Sequence, residues 1–224
     1  MKTKIILIRH AQSKKNIKDI HGGNGDELTQ SGVECTYNLI KKLLKIGVRS
    51  DNAIISYPKN VQTRETAKII LDSLSLTSRS ITSLKPLYLG IVHGLSNLEV
   101  KEKYPEIFEL LQKWRKKEIE ICDLVIPEME SPSKFYERGL EIMSTLQKEK
   151  YNIFILTNSL YILLLNIILG NTYLEGGGYK HFDIYNCAIT MFEENNNGNF
   201  ILNTQYTDAI DVLNYIKNKS QSIS

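Results

Sequence analysis

The chain has 224 residues, 42% of them hydrophobic and 24% charged, with a formal net charge of +3. That length supports a substantial core; the charge is too small and dispersed for a nucleic-acid-binding face, and no basic stripe is interleaved with aromatics. Cys35, Cys122 and Cys187 lie far apart with no paired metal-ligand spacing, which suits reduced thiols better than a disulfide framework.

Met1-Lys2-Thr3-Lys4 precedes only four aliphatic residues, too few for a secretory h-region, so a cytoplasmic protein is expected. The run Ile5-Ile6-Leu7-Ile8 reads as a buried strand over 4–8. Arg9-His10 cannot continue such a strand inside a core and stands at its carboxyl end, where open α/β sheets bind ligands. A helix follows Thr29-Gln30-Ser31-Gly32, with Val33, Tyr37, Leu39-Ile40 and Leu43-Leu44 at helical spacing; its Lys41-Lys42 and Lys45 form a solvated face. Residues 53–56 predict a second strand, and Val61 to Leu74 a second helix. Between 95 and 150 the pattern is helical, with Tyr104, Ile107-Phe108, Leu110-Leu111 and Trp114, then an amphipathic run from Phe135 to Leu146. The basic run Trp114-Arg115-Lys116-Lys117 is expected to be a solvated helix face.

A third strand is expected over 152–157. Leu160 to Leu169 is interrupted by Asn166 and is about half the length of a membrane span, so it reads as a buried helix. Gly176-Gly177-Gly178 lacks the ending of a P-loop and reads as a flexible turn. Phe182 to Phe192 predicts a strand that forms a hairpin with Phe200-Ile201-Leu202 across an Asn-rich turn. The tail after Leu213 is polar and expected to fray. Strands alternating with helices argue for one α/β domain spanning 1–224 with a mostly parallel sheet.

Arg9-His10-Ala11-Gln12-Ser13 and Asn16, followed by Leu28-Thr29 and Gly32, resemble the signature of the histidine phosphatase (phosphoglycerate-mutase-like) superfamily, with Ala11 in place of a glycine. The resemblance implies a three-layer α/β/α sandwich, a lid formed by the 95–150 insert, and no cofactor or metal. It implies His10 as the nucleophile that becomes phosphohistidine, Arg9 as a clamp on the phosphoryl oxygens, and Asn16 as a further contact. The rest of the family's set departs from its pattern. Counting back four from Thr66-Ala67, the second arginine's position holds Gln62; Arg64 is rotated about 200° around the helix from it and reads as a surface residue. In Leu84-Lys85-Pro86-Leu87-Tyr88-Leu89-Gly90, Pro86 occupies the place of the leaving-group acid. His93 is a candidate substitute or a surface histidine. After the third strand, Asn158 stands where the family carries its second histidine. Glu130-Ser131 resembles the family's Gly-Glu-Ser segment, so Glu130 either brings a carboxylate to the pocket or is a solvated loop glutamate.

On this reading Arg9 is the pocket's only fixed cation, with Gln62 and Asn158 as neutral donors, and a small-molecule ligand binds at the strand ends. Three functions stay open: a pseudo-phosphatase, a repurposed enzyme acting on a neutral or weakly anionic small molecule, and a slow phosphomonoesterase working through His10. No membrane partner is expected, and a dimer is among the oligomeric states the chain permits.

Overall fold

The computed structural model describes residues 2–171 and 179–221. Its strands are β1 (Lys4–Arg9), β2 (Ala53–Ser56), β3 (Thr77–Arg79), β4 (Tyr151–Leu156), β5 (Ile189–Glu194) and β6 (Phe200–Leu202). They form one sheet in the order β3-β2-β4-β1-β5-β6. The β3-β2-β4-β1 pairs are parallel, and β5 and β6 add antiparallel at one edge. The architecture is the α/β sandwich with a mostly parallel sheet that the alternation of elements predicts.

The helices are α1 (Lys14–Lys18), α2 (Gln30–Ile46), α3 (Val61–Leu74), α4 (Asn97–Lys103), α5 (Pro105–Arg115), α6 (Pro132–Ser144), α7 (Asn158–Ile168) and α8 (Ile210–Gln221). Strand β1 is apolar from Ile5 to Ile8, between Lys4 and Arg9 at its ends, because both its faces are covered there. Ile6 and Ile8 pack with Leu39, Leu43, Ala67 and Ile70 of α2 and α3. Ile5 and Leu7 pack on the other face with Leu111, Phe135, Leu160 and Leu164 from α5, α6 and α7. The 160–169 stretch is thus a buried helix, and among the described residues no helix is long and apolar enough to cross a membrane.

Local signals set several boundaries. The Thr29 hydroxyl caps α2 by accepting from the Gly32 N–H at 3.0 Å. A Cβ on Gly32 would sit 2.2 Å from the Gln12 carbonyl oxygen, so the glycine lets α2 close onto the loop after His10. Ser96 and Glu99 form a capping box on α4, and Pro105 and Pro132 open α5 and α6 in the first turn, where proline costs no hydrogen bond.

Four features differ from the sequence expectation. Short α1 and edge strand β3 carry little apolar pattern, since neither is embedded in the core. The strand expected from Phe182 begins only at Ile189, because 182–188 wrap around the end of β1: the Arg9 guanidinium donates to the Ile184 carbonyl, and Cys187 turns the chain at φ +63°. The tail is helical through Gln221, anchored by buried Val212 and by Tyr215, whose ring lies 5.1 Å from that of Phe182. The Gly176-Gly177-Gly178 turn lies outside the described residues.

Candidate functional site

His10 follows the last residue of β1 and is held by backbone on both sides. Its N–H donates to the Leu156 carbonyl of β4 at 2.9 Å, and its carbonyl accepts from Asn186 Nδ2 at 2.8 Å. The imidazole is 3% exposed, and its Nδ1 lies 2.7 Å from the Ala11 carbonyl oxygen. A carbonyl can only accept, so Nδ1 carries the proton and Nε2 keeps its lone pair. Burial and then the adjacent Arg9 guanidinium push the imidazole down to about 3, so it is neutral at physiological pH. A neutral, tautomerically fixed, buried imidazole is what nucleophilic attack on phosphorus requires.

Beside His10 lies a cavity of about 170 Å³, and Arg9, His10, Asn16, Gln62, Pro86 and Asn158 all line it. The sequence-predicted residues at 9, 10, 16, 62 and 158 are therefore brought to one place. Ser13 orients Asn16 by donating its N–H at 2.9 Å and its hydroxyl at 3.0 Å to Oδ1, which leaves Nδ2 to donate elsewhere. Gln62 projects from the first turn of α3, where α3 meets the 22–25 loop: a Cβ on Gly25 would lie 1.8 Å from Gln62 Oε1. Asn158 opens α7 directly after β4, and its Nδ2 lies 3.4 Å from Tyr179 Oη. Arg9 Nε, Gln62 Oε1, Thr157 Oγ1 and Asn158 Oδ1 are buried and without partners among the described residues. An unpaired buried polar atom costs roughly 1–3 kcal/mol, so a cluster of them around one cavity makes it a candidate ligand site.

The electrostatics differ from the sequence expectation. Lys15 of α1 and Arg115 at the end of α5 line the same cavity, and with Lys117 they line an adjoining outer chamber of about 360 Å³. Arg9 is not the only fixed cation, and the Trp114–Lys117 run is not a solvated face. Trp114 is buried and stacks on Tyr179 with centroids 4.9 Å apart. Lys117 packs over the other partner in that stack, the Tyr179 ring. Burial, and then the Arg115 charge, lower Lys15 to about 8; burial lowers Lys117 to about 8. Arg115 forms an ion pair with Asp19 at 3.5 Å and donates to Asn97 Oδ1 at 3.2 Å. The same Asn97 oxygen takes the Nε2–H of buried His21, another wall residue, which burial pushes down to about 4.

No aspartate or glutamate is among the residues described as lining the inner cavity; Asp19 and Asp183 belong to the outer chamber. Pro86 stands on the wall and carries no proton. Glu130 is elsewhere: its oxygens accept from Arg138 Nε at 2.8 Å and Nη2 at 2.7 Å. Arg138 Nη1 in turn donates to the carbonyls of Ser83 and Lys85, both at 2.7 Å. Glu130 therefore braces the loop that carries Pro86 and does not enter the cavity. His93 is behind the 22–23 turn, accepting the Gly23 N–H at 2.9 Å on Nε2, and lines a separate groove. Exposed Arg64 points into that groove as well, away from His10.

Residues 5–207 match the family model described as histidine phosphatase superfamily (branch 1). Among curated proteins, the chain is 31% identical over 116 residues to a 2,3-bisphosphoglycerate-dependent phosphoglycerate mutase of Bartonella tribocorum, covering 50% of this chain and 54% of that protein. A protein of the same description from Bradyrhizobium sp. BTAi1 is 32% identical over 117 residues, again covering 50% and 54%. The chain thus spans about half the length of the curated relatives it matches. Among solved structures, Bacillus stearothermophilus YhfR superposes with a TM-score of 0.74 at 19% identity, covering 94% of this chain and 99% of that one. The alpha-ribazole phosphatase of Shigella flexneri gives 0.71 at 19%, covering 90% and 95%. At these identities the structural likeness speaks for the fold.

Proposed function

Because the chain belongs to the histidine phosphatase superfamily (branch 1), we propose that it binds a phosphomonoester in the His10 cavity and hydrolyses it slowly, with efficiency confined to esters of good leaving groups. The observation that carries this reading is the Nδ1 contact with the Ala11 carbonyl, which leaves the neutral Nε2 lone pair for attack. The ring of cations favours a dianionic ligand over a neutral one: Arg9, Lys15 and Arg115 line the cavity and no carboxylate is among its described lining.

In the first step Nε2 forms a bond to phosphorus as the ester P–O bond breaks, and the electron pair leaves on the ester oxygen. Arg9, Lys15, Asn16 and Arg115 stabilise the charge on the equatorial oxygens. Water then adds to phosphorus, the N–P bond returns its electron pair to Nε2, and phosphate departs. Pro86 cannot protonate the departing oxygen, so an aryl oxide leaves unaided while an alkoxide does not. Loss of a general acid costs on the order of 10²–10⁴ in rate.

Steady-state assays with p-nitrophenyl phosphate and glycerol 2-phosphate test this. Turnover of the aryl ester that disappears in His10→Ala, with the alkyl ester slower by about a hundredfold or more, is expected. Equal rates on both esters would mean that an acid operates in the cavity and the reading is wrong. Tight tungstate binding with no cleavage of either ester would make the protein a phosphate-binding pseudo-phosphatase.

A further inference from the structure

An open groove of about 730 Å³ lies back to back with the His10 cavity. Pro86 belongs to both walls, and the Gly22–Gly23 turn divides them, Gly22 on the cavity side and Gly23 on the groove side. The volume is that of an ordinary small-molecule site. The groove is lined by Lys59, Arg64 and Lys85 with no aspartate or glutamate among the described lining, and these three cations have no ion-pair partner among the described residues.

One buried donor is also orphaned here. Asn60, the N-cap residue of α3, is 8% exposed and lines the groove; its Oδ1 accepts from the Thr63 hydroxyl at 2.8 Å, which orients the amide and leaves Nδ2 without a partner. His93 Nδ1 faces the other way: a Cβ on Gly22, on the cavity side of the turn, would lie 2.3 Å from it. Three cations, the unpaired Asn60 amide and the start of a 14-residue helix together favour an anion. The aromatic Tyr57 and Tyr88 flank them, and Tyr88 is 44% exposed with its ring held 4.7 Å from that of His93. A positioned, half-exposed ring next to cations suits a planar ring that carries phosphate.

We propose that this groove is a second binding site, distinct from the His10 cavity, for a ring-bearing phosphate compound of the nucleotide class. Its phosphate sits against Asn60, Arg64 and Lys85, and its ring stacks on Tyr88.

Calorimetric titration of the full chain with ADP, pyrophosphate and tungstate tests the assignment. ADP is expected to bind, to lose about tenfold or more in affinity in Arg64→Ala/Lys85→Ala, and to bind His10→Ala as well as wild type. Aryl-ester hydrolysis is expected to be unchanged in the Arg64→Ala/Lys85→Ala variant, whose altered side chains are exposed, and tungstate is expected to keep its binding at the His10 cavity there. Pyrophosphate is expected to bind about tenfold more weakly than ADP, and ADP binding to fall in Tyr88→Ala. The proposal is overturned if millimolar ADP at low salt does not bind, if the groove variant binds it normally, or if His10→Ala abolishes its binding. Pyrophosphate binding as tightly as ADP would remove the ring from the assignment and overturn the nucleotide class. None of these outcomes bears on hydrolysis through His10, which is read separately from the ester assays.

Discussion

The ammonium of Lys117 lies 3.7 Å from the centroid of the Tyr179 ring, with no hydrogen-bond partner among the described residues. The ring face offers a cation some attraction, yet the buried ammonium keeps its capacity to donate to an anion. Tyr179 is itself pinned, by Trp114 on one side and by the Glu120 carboxylate, which accepts its N–H at 2.9 Å. A charge in this position is free to donate to an anion that enters the outer chamber.

Anion affinity should therefore depend on pH in the alkaline range. Lys15 and Lys117 are both lowered to about 8, so each is cationic below that value and neutral above it. Affinity for tungstate, which keeps its charge over this range, should fall as pH rises through about 8, by about tenfold overall. Calorimetry across the range with wild type and Lys15→Met/Lys117→Met checks this. An unchanged profile in the double variant would place the titrating group elsewhere.

Acid should destabilise the fold through two histidines. In the unfolded chain each imidazole protonates near 6.5, whereas His10 and His21 resist protonation down to about 3 and about 4 in the fold. Between those values and 6.5 the unfolded state binds more protons, so stability is fully present above about pH 6.5 and is lost as pH falls. Urea unfolding midpoints should drop between neutral pH and about pH 4.5, with a shallower decline in His21→Gln. A midpoint that stays level through this interval would contradict the burial of both neutral rings.

The Glu130–Arg138 pair is predicted to be structural. Its side chains are only 18% and 14% exposed, and Glu130→Ala would strand the Arg138 guanidinium. Breaking such a pair costs about 3 kcal/mol, so the urea midpoint should fall while tungstate affinity holds within about twofold. Lost tungstate binding with unchanged stability would instead make Glu130 a ligand contact.

Restoring the acid should help the harder substrate more. Pro86→Glu is expected to raise hydrolysis of glycerol 2-phosphate by about a hundredfold, with a smaller gain on p-nitrophenyl phosphate. Glutamate also restores a backbone N–H and frees φ, so the loop braced by Arg138 must hold its shape. Circular dichroism and tungstate affinity report on that separately. Equal gains on both esters would mean that position 86 does not reach the departing oxygen.

Much of the site is legible in the sequence because its parts lie at the ends of regular elements. His10 ends an aliphatic strand, Gln62 is in the first turn of an amphipathic helix, and Asn158 follows the all-buried β4. His10 stands out from the end of its strand, whereas Gln62 and Asn158 are reached by counting along the motifs of the family that the sequence resembles. Lys15, His21, Arg115 and Lys117 are not legible in this way, because they come to the cavity through tertiary approach of α1, the loop after it and the end of α5. A basic run on a helix ordinarily faces water; the signal against that was Trp114 within the same run, continuing the apolar spacing of Ile107 and Leu111. Edge strand β3 was hidden for a related reason: Thr77-Ser78-Arg79 contributes no apolar side chain and is recognisable only by its pairing with β2.

His10 and the charges around it belong to different mechanical parts. His10 is tied into the sheet by Leu156 and Asn186, while Lys15, Arg115 and Lys117 ride on a five-residue helix and on the end of a surface helix. Amide exchange at His10 should consequently follow global unfolding, whereas α1 opens locally and far more often. Substitutions in α1 or at the end of α5 can then retune which anion is attracted without moving the imidazole. The anion preference of the cavity is free to drift while His10 stays fixed.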